Sequence, residues 1–296
     1  MGVAAEDPRA RSQGAATAPA LMMLAQIAGL QVGSAVAKGA YVSAGPTALA
    51  GMRLCFAAAV LWLLVRPRLR GISAAQWRAA VALGLVLAAM NLAYFQAISR
   101  LPIGVAATLE LLGPLTLSIA LSRRIEHLVV ALLALAGVLL LAAPGASLPA
   151  AGLLLGGAAA VCRAGYVVLS RRVGRLFPDW TGLTLALAVG ACVLTPVTAV
   201  TDGDRVAAHP SVLLTGLLVA LLSSLIPYSL DMTVLRRIDA RAFGVLLALS
   251  PAVAAGIGFV LLREELTGRQ LGAAALIVLA GVWSVRRAAR SAGSPT

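Results

Sequence analysis

The side chains in this sequence that could do chemistry lie where water is scarce. Glu110 stands four residues before Pro114 in an apolar run, Arg53 and Arg163 stand within runs of Ala, Leu and Val, Lys38 follows another such run, and Asp231 comes just after Pro227-Tyr228. An ionisable group placed in hydrocarbon costs at least ~2.5–3.5 kcal/mol, so each marks either a pathway or a structural pair. A carboxylate at Glu110 suits a proton or a substrate ammonium, because burial favours the neutral form of a carboxyl and a nearby cation the charged form. The alternative for Glu110 is a static salt bridge with Arg53 or Arg163. Arg163 offers a planar fork that matches a carboxylate bidentately, as an amino-acid substrate would require. Lys38 either shares that task or snorkels to the membrane interface. Arg53 reads as a packing or pairing residue of its own half, or as a further cation at the site. Asp231 is spaced five and six residues from Arg236 and Arg237, which is poor geometry for a helical bridge, so it sits at an interface or in the site. Asn91, Tyr94 and Tyr228 complete the candidate substrate-binding set, although amides also join helices and tyrosines also form interfacial belts.

Other chemistry finds no support. Cys55, Cys162 and Cys192 fall in apolar segments without a C-x-x-C pair, and read as small buried hydrophobes rather than as a disulfide framework or zinc site. The histidines His127 and His209 fall at segment ends, and H-E-x-x-H, G-x-S-x-G and the phosphate-binding glycine motifs are absent. The expectation is a protein that is not an enzyme, with no cofactor and no metal.

The elements that must position the candidate residues are membrane helices. Of 296 residues 60% are hydrophobic and 12% charged, against about a quarter charged in a soluble domain, and the mean hydropathy is +0.95. Crossing ~30 Å of hydrocarbon takes about 20 apolar residues as helix. Ten segments qualify: 19–37, 46–65, 79–98, 102–121, 127–143, 150–170, 180–200, 212–234, 240–262 and 269–285. Pro67, Gly71, Pro102, Pro144-Gly145, Pro178 and Pro210 punctuate them, and the longest connection is expected around 201–211. The net charge of +13 is not one basic patch but short clusters between apolar runs, which excludes nucleic acid as a partner. Counted by side, 17 Lys and Arg fall in the N-terminal tail, alternate loops and the C-terminal tail, 5 in the intervening loops, and Arg53 and Arg163 within segments. That alternation places both termini in the cytoplasm. Residues 1–18 and 287–296 are then cytoplasmic tails. Arg9, Arg11 and the following apolar run up to Ala35-Val36-Ala37 also resemble a cleavable leader; the repeat below argues that the segment is kept.

Val36-Ala-Lys38-Gly-Ala-Tyr41 returns as Val161-Cys-Arg163-Ala-Gly-Tyr166, Leu112-Gly-Pro114 as Leu249-Ser-Pro251, and Leu135-Ala-Gly-Val138 as Leu279-Ala-Gly-Val282. These echoes divide the chain into five-helix halves, 19–143 and 150–286. An odd number of spans per half makes the second enter the membrane from the opposite side, the inverted repeat associated with alternating access. The expected fold is therefore all-α integral membrane, with ten transmembrane helices as two inverted five-helix repeats.

Several stretches carry a family resemblance: Met52-Arg-Leu54, Met90-Asn91 with Tyr94-Phe95, Leu109-Glu-Leu-Leu-Gly-Pro114 with Ser122-Arg-Arg124, Ile226-Pro-Tyr-Ser-Leu-Asp-Met232, Arg241-Ala-Phe-Gly244 and Glu264-Glu-Leu-Thr267. Through them the chain resembles the drug/metabolite transporter superfamily with paired EamA domains, and within it the threonine/homoserine exporter branch. The branch often carries Glu where this chain has Ser250, so a role for that carboxylate does not transfer. The resemblance implies a secondary exporter in the inner membrane, moving small metabolites such as threonine or homoserine by alternating access, with proton or potential coupling. Its partners would be an amino-acid substrate, membrane lipid and a coupling proton, with the chain as a monomer or homodimer. The alternatives are a drug or nucleoside exporter of the same fold, or a membrane-embedded lipid-handling or structural protein that moves no solute.

Overall fold

The computed structural model describes residues 8–120, 148–227 and 250–291, with isolated helical positions at 132–133, 136–137, 140 and 230. The described residues form helices α1 (Pro8–Gly39), α2 (Pro46–Val65), α3 (Ala74–Ile98), α4 (Ile103–Ala120), α5 (Ala150–Leu176), α6 (Thr181–Ala208), α7 (Val212–Ala220), α8 (Ser250–Leu262) and α9 (Gly268–Ser291). A π turn at Leu221–Leu225 prolongs α7. Among them α2, α3, α5 and α6 are each long and apolar enough to cross a bilayer, and shorter apolar stretches occupy α4, α7 with its π turn, α8 and α9. The segment expected at 127–143 and the first part of that at 240–262 lie almost wholly outside the described residues.

Helix ends follow local chemistry. α3 starts at Ala74 rather than near 79 because Ser73 and Gln76 form a capping box: the Gln76 N–H donates to Ser73 Oγ at 3.2 Å and the Ser73 N–H to Gln76 Oε1 at 2.9 Å. The expected connection at 201–211 is corrected to a shorter one, because α6 runs on to Ala208. Asp202 anchors this extension. Its carboxylate is buried, accepts the Ala48 N–H at 3.1 Å, and lies against Gly45, whose φ of +78° and lack of Cβ leave the room required.

The two halves of the chain interleave rather than stack side by side. The most extensive helix contacts, α2 with α6 and α3 with α5 and α6, all join one half to the other. Glycines set the closest approaches. Gly33 of α1 packs on Ser223, Gly152 and Gly156 of α5 on Leu101 and Leu109, and Gly113 of α4 on the Ala160 carbonyl, where an added Cβ would stand 2.1 Å from the oxygen. Outward-facing side chains are large and apolar: on α5, Leu154, Val161 and Val168 recur every seven residues and are exposed. Such a stripe suits lipid, since it would leave a long apolar face in water.

Loops group into two ends. The α2–α3 and α5–α6 connections share one cavity and are bridged from Gln76 Nε2 to the Leu176 carbonyl at 2.8 Å. The α1–α2, α3–α4 and α8–α9 connections meet at the other end through Lys38, Leu101, Ile103 and Glu264, and α6 joins them through Asp202. This is the grouping that the alternation of Lys and Arg requires of these connections.

The Gly113 approach gives a direct check. Gly113→Ala drives a methyl into the α5 backbone and should lower transport at least about tenfold, the scale of a small misplacement at a working site. Gly157→Ala, where a Cβ meets nothing within 4 Å, should leave transport unchanged. Equal rates for the two in reconstituted vesicles would show that the α4–α5 approach does not set the site.

Candidate functional site

Arg53, Glu110 and Arg163 each depend on a contact between halves. Gly113 draws α4 onto α5, and this places Glu110 of α4 beside Arg163 of α5, with Glu110 Oε1 3.7 Å from Arg163 Nη1 and both side chains mostly buried. The pair is long for a charge-assisted hydrogen bond, which normally closes to about 2.7–2.9 Å. Arg163 also lies over the Tyr166 ring at 5.5 Å. Pro114 has no N–H to give the Glu110 carbonyl, so the backbone at the same residue keeps an acceptor that the helix would otherwise occupy.

Arg53 of α2 reaches the same place from the other side. Its Nε donates to Ser224 Oγ at 2.7 Å, its Nη2 donates to the Ser223 carbonyl, and its guanidinium lies 5.7 Å from the centre of the Phe95 ring. The π turn at Leu221–Leu225 presents both serines. Among the described residues no carboxylate lies within ion-pairing distance of Arg53, although its side chain is buried. Among the described residues the guanidinium is thus held by neutral groups and an aromatic face, with no counter-charge beside it.

Leu30, Arg53, Met90, Asn91, Tyr94, Glu110 and Arg163 enclose a cavity of about 10 Å3, room for a single water. Two polar atoms there have no hydrogen-bond partner among the described residues: Asn91 Oδ1, whose Nδ2 donates to the Leu87 carbonyl at 2.7 Å, and the Tyr94 hydroxyl. Ser34 lies beside Tyr94 but donates its own proton to the Leu30 carbonyl at 2.9 Å. A second cavity, of about 20 Å3, lies on the other side of the ion pair and is lined by Ala107, Glu110, Leu111, Pro114, Arg163 and Ser250. Glu110 and Arg163 border both, so the pair stands as a partition between two small voids.

The structure therefore brings together five of the eight candidates, Glu110, Arg163, Arg53, Asn91 and Tyr94. Tyr228 and Asp231 lie outside the described residues. Lys38 is placed apart from the lining of this cavity: its ammonium is held among the connections at one end by Glu264 Oε1 at 2.5 Å and the Leu101 carbonyl at 2.6 Å, while Glu264 Oε2 accepts the Ile103 N–H at 2.8 Å at the start of α4. Of the two partners open to Glu110, Arg163 is the one it has. Glu264 belongs to a motif visible in the sequence, but its partner is 226 residues away, and no local spacing reveals that. Ser223 and Ser224 were likewise missed, because two serines in an apolar helix ordinarily bond to their own backbone.

Comparison with known proteins agrees with this architecture. The EamA-like transporter family model matches residues 150–286. The threonine/homoserine exporter RhtA of Salmonella typhimurium strain LT2 is 32% identical over 271 residues, covering 90% of each chain. RhtA of Escherichia coli strain K12 is 31% identical over the same length and coverage. A solved crystal structure that is 23% identical superposes with a TM-score of 0.62, covering 94% of this chain and 99% of that one, which shows a shared fold. The chain is a multi-pass membrane protein that belongs to the EamA-like transporter family, on the branch of the RhtA exporters, and it is a small-metabolite exporter rather than an enzyme.

Proposed function

We propose that this exporter carries small amino acids of the threonine and homoserine type, by alternating access between two inverted five-helix repeats with both termini in the cytoplasm. The observation that carries the reading is the charge balance of the cavity between halves: among the described residues that line it, two guanidiniums, Arg53 and Arg163, face one carboxylate, Glu110. A zwitterion completes that set. Its carboxylate supplies the anion that Arg53 lacks, and its ammonium takes Glu110 and the open Glu110 carbonyl. Asn91 Oδ1 and the Tyr94 hydroxyl then meet a side-chain hydroxyl, which suits threonine and homoserine over alanine or valine. Names of relatives that export these two amino acids support the same substrate class.

With room for only a water, the cavity is closed around its own ion pair. Substrate entry has to part Glu110 from Arg163, which joins the two voids. The long, imperfect pair makes this inexpensive, since a weak ground-state contact is readily exchanged for a stronger one to substrate. When the site is empty, Glu110 re-forms the pair or takes a proton, which is how proton coupling would enter. Efflux of labelled threonine from proteoliposomes under an imposed proton gradient tests this. Glu110→Gln should reduce gradient-driven transport about a hundredfold or more, on the scale of removing one partner of a buried charge pair, and undiminished transport would remove Glu110 from the mechanism.

The contact of Lys38, Glu264, Leu101 and Ile103 acts as the closure at the end away from the arginine-rich loops. It ties α1, the start of α4 and the α8–α9 connection with three short polar contacts, and these must break for that end to open. Its repeat counterpart is instructive: Lys38 and Arg163 are matched positions, and each pairs with a carboxylate of the other half. A cysteine at Ala107, in a chain whose Cys55, Cys162 and Cys192 are replaced, reports opening. In a Glu264→Gln background a membrane-impermeant maleimide added at that end should label it at least about fivefold faster, the effect of losing roughly 1 kcal/mol of closing energy. Equal labelling rates would show that these contacts are not the closure.

A further inference from the structure

At the arginine-rich end a cavity of about 360 Å3 opens between the α2–α3 and α5–α6 connections, lined by Arg66, Arg68, Arg70, Gln76 and Asp179 above Phe177. The three arginines are exposed, and among the described residues none has an ion-pair partner. Asp179 offsets only one of the three: its carboxylate lines the same cavity and accepts the Thr181 N–H at 3.0 Å and the Thr181 hydroxyl at 3.1 Å at the start of α6, so the lining keeps a cationic excess. The walls are held in place. Arg66 closes α2 in a left-handed conformation with its N–H on the Trp62 carbonyl at 2.9 Å, Gly71 turns at φ +87°, and Gln76 ties α3 to the end of α5.

The surface beside the cavity identifies the occupant. Trp62, Leu63 and Leu64 on the last turn of α2, Leu69 in the connection, and Trp77 on α3 are all exposed. An apolar wall with two indoles directly below a set of free guanidiniums is the profile of a membrane interface, where headgroup and acyl chain divide. A site for a soluble anion has no use for that wall.

We propose that this cavity binds the headgroup of an anionic phospholipid, with the phosphodiester among Arg66, Arg68 and Arg70 and the acyl chains over Trp62, Leu63 and Leu64. The bound lipid would brace the α2–α3 and α5–α6 connections against each other at the base of the helices that carry Arg53 and Arg163. This is independent of which solute the central cavity carries.

The test uses the full chain in detergent, titrated with phosphatidylglycerol or phosphatidylcholine bearing brominated acyl chains, with tryptophan quenching as the readout. Phosphatidylglycerol should quench at concentrations at least about fivefold lower than phosphatidylcholine, the effect of a single well-placed arginine at a membrane surface. The preference should vanish in Arg66→Gln/Arg68→Gln/Arg70→Gln, and in Arg68→Gln/Arg70→Gln, which leaves the Arg66 helix end intact. It should persist in Arg100→Gln at the opposite end. Equal quenching by the two lipids, or a preference that survives loss of the arginines, overturns the proposal. So does release of phosphatidylglycerol by excess inorganic phosphate, because the site would then be one for free anions.

Discussion

A charge inside a bilayer must be matched from within the protein, and among the described residues three such matches reach across from one half to the other. Arg163 of the second half meets Glu110 of the first, Lys38 of the first meets Glu264 of the second, and Arg53 of the first rests on Ser223 and Ser224 of the second. None of these contacts exists within one half alone. The close glycine approaches follow from the same need. Gly113 on Ala160 and Gly33 on Ser223 bring backbones near enough for short polar contacts to form between helices that lipid alone would not drive together.

The quality of each match differs with its place. At the end away from the arginine-rich loops, Lys38 and Glu264 are fully engaged: every contact there is short and each oxygen of the carboxylate has a donor. At the centre the Glu110–Arg163 pair is long, and among the described residues Arg53 has only neutral partners and two buried polar atoms have none. Buried polar groups are nearly always satisfied, so a cluster of under-satisfied ones marks a place completed by something else. In the proposed alternating access, the tightly matched contact would serve as closure and the loosely matched centre as the place where substrate competes.

Much of the fold was legible in the sequence, and for clear reasons. Hydropathy located α2 at its observed bounds, and the alternation of charge agrees with how the described connections group by end, because the cost of burying backbone and charge in lipid leaves few options. Helix extensions beyond the hydrocarbon were less visible. α6 reaches Ala208 because Asp202 caps the Ala48 N–H of a distant helix, an interaction with no local signature. Glu110, Arg163, Asn91 and Tyr94 stand out in the sequence because polarity at membrane depth is rare, and the structure places them around one cavity. Arg53 was located, but its serine partners on the π turn, and the Glu264 partner of Lys38, follow only from how the halves interleave. Pairings across 170 to 226 residues are properties of the packed bundle, not of any segment.

The central claim is that the cavity between halves recognises an α-carboxylate through Arg53, which has no anionic partner among the described residues. It is tested by competition against labelled threonine bound to the purified protein, with threonine and its carboxamide as competitors. The account predicts that threonine competes and that the amide, which leaves Arg53 unmatched, is weaker by at least about a hundredfold, the scale of an unpaired buried charge. It also predicts that Arg53→Gln erases the difference. Equal competition by acid and amide in the unmodified protein would contradict it.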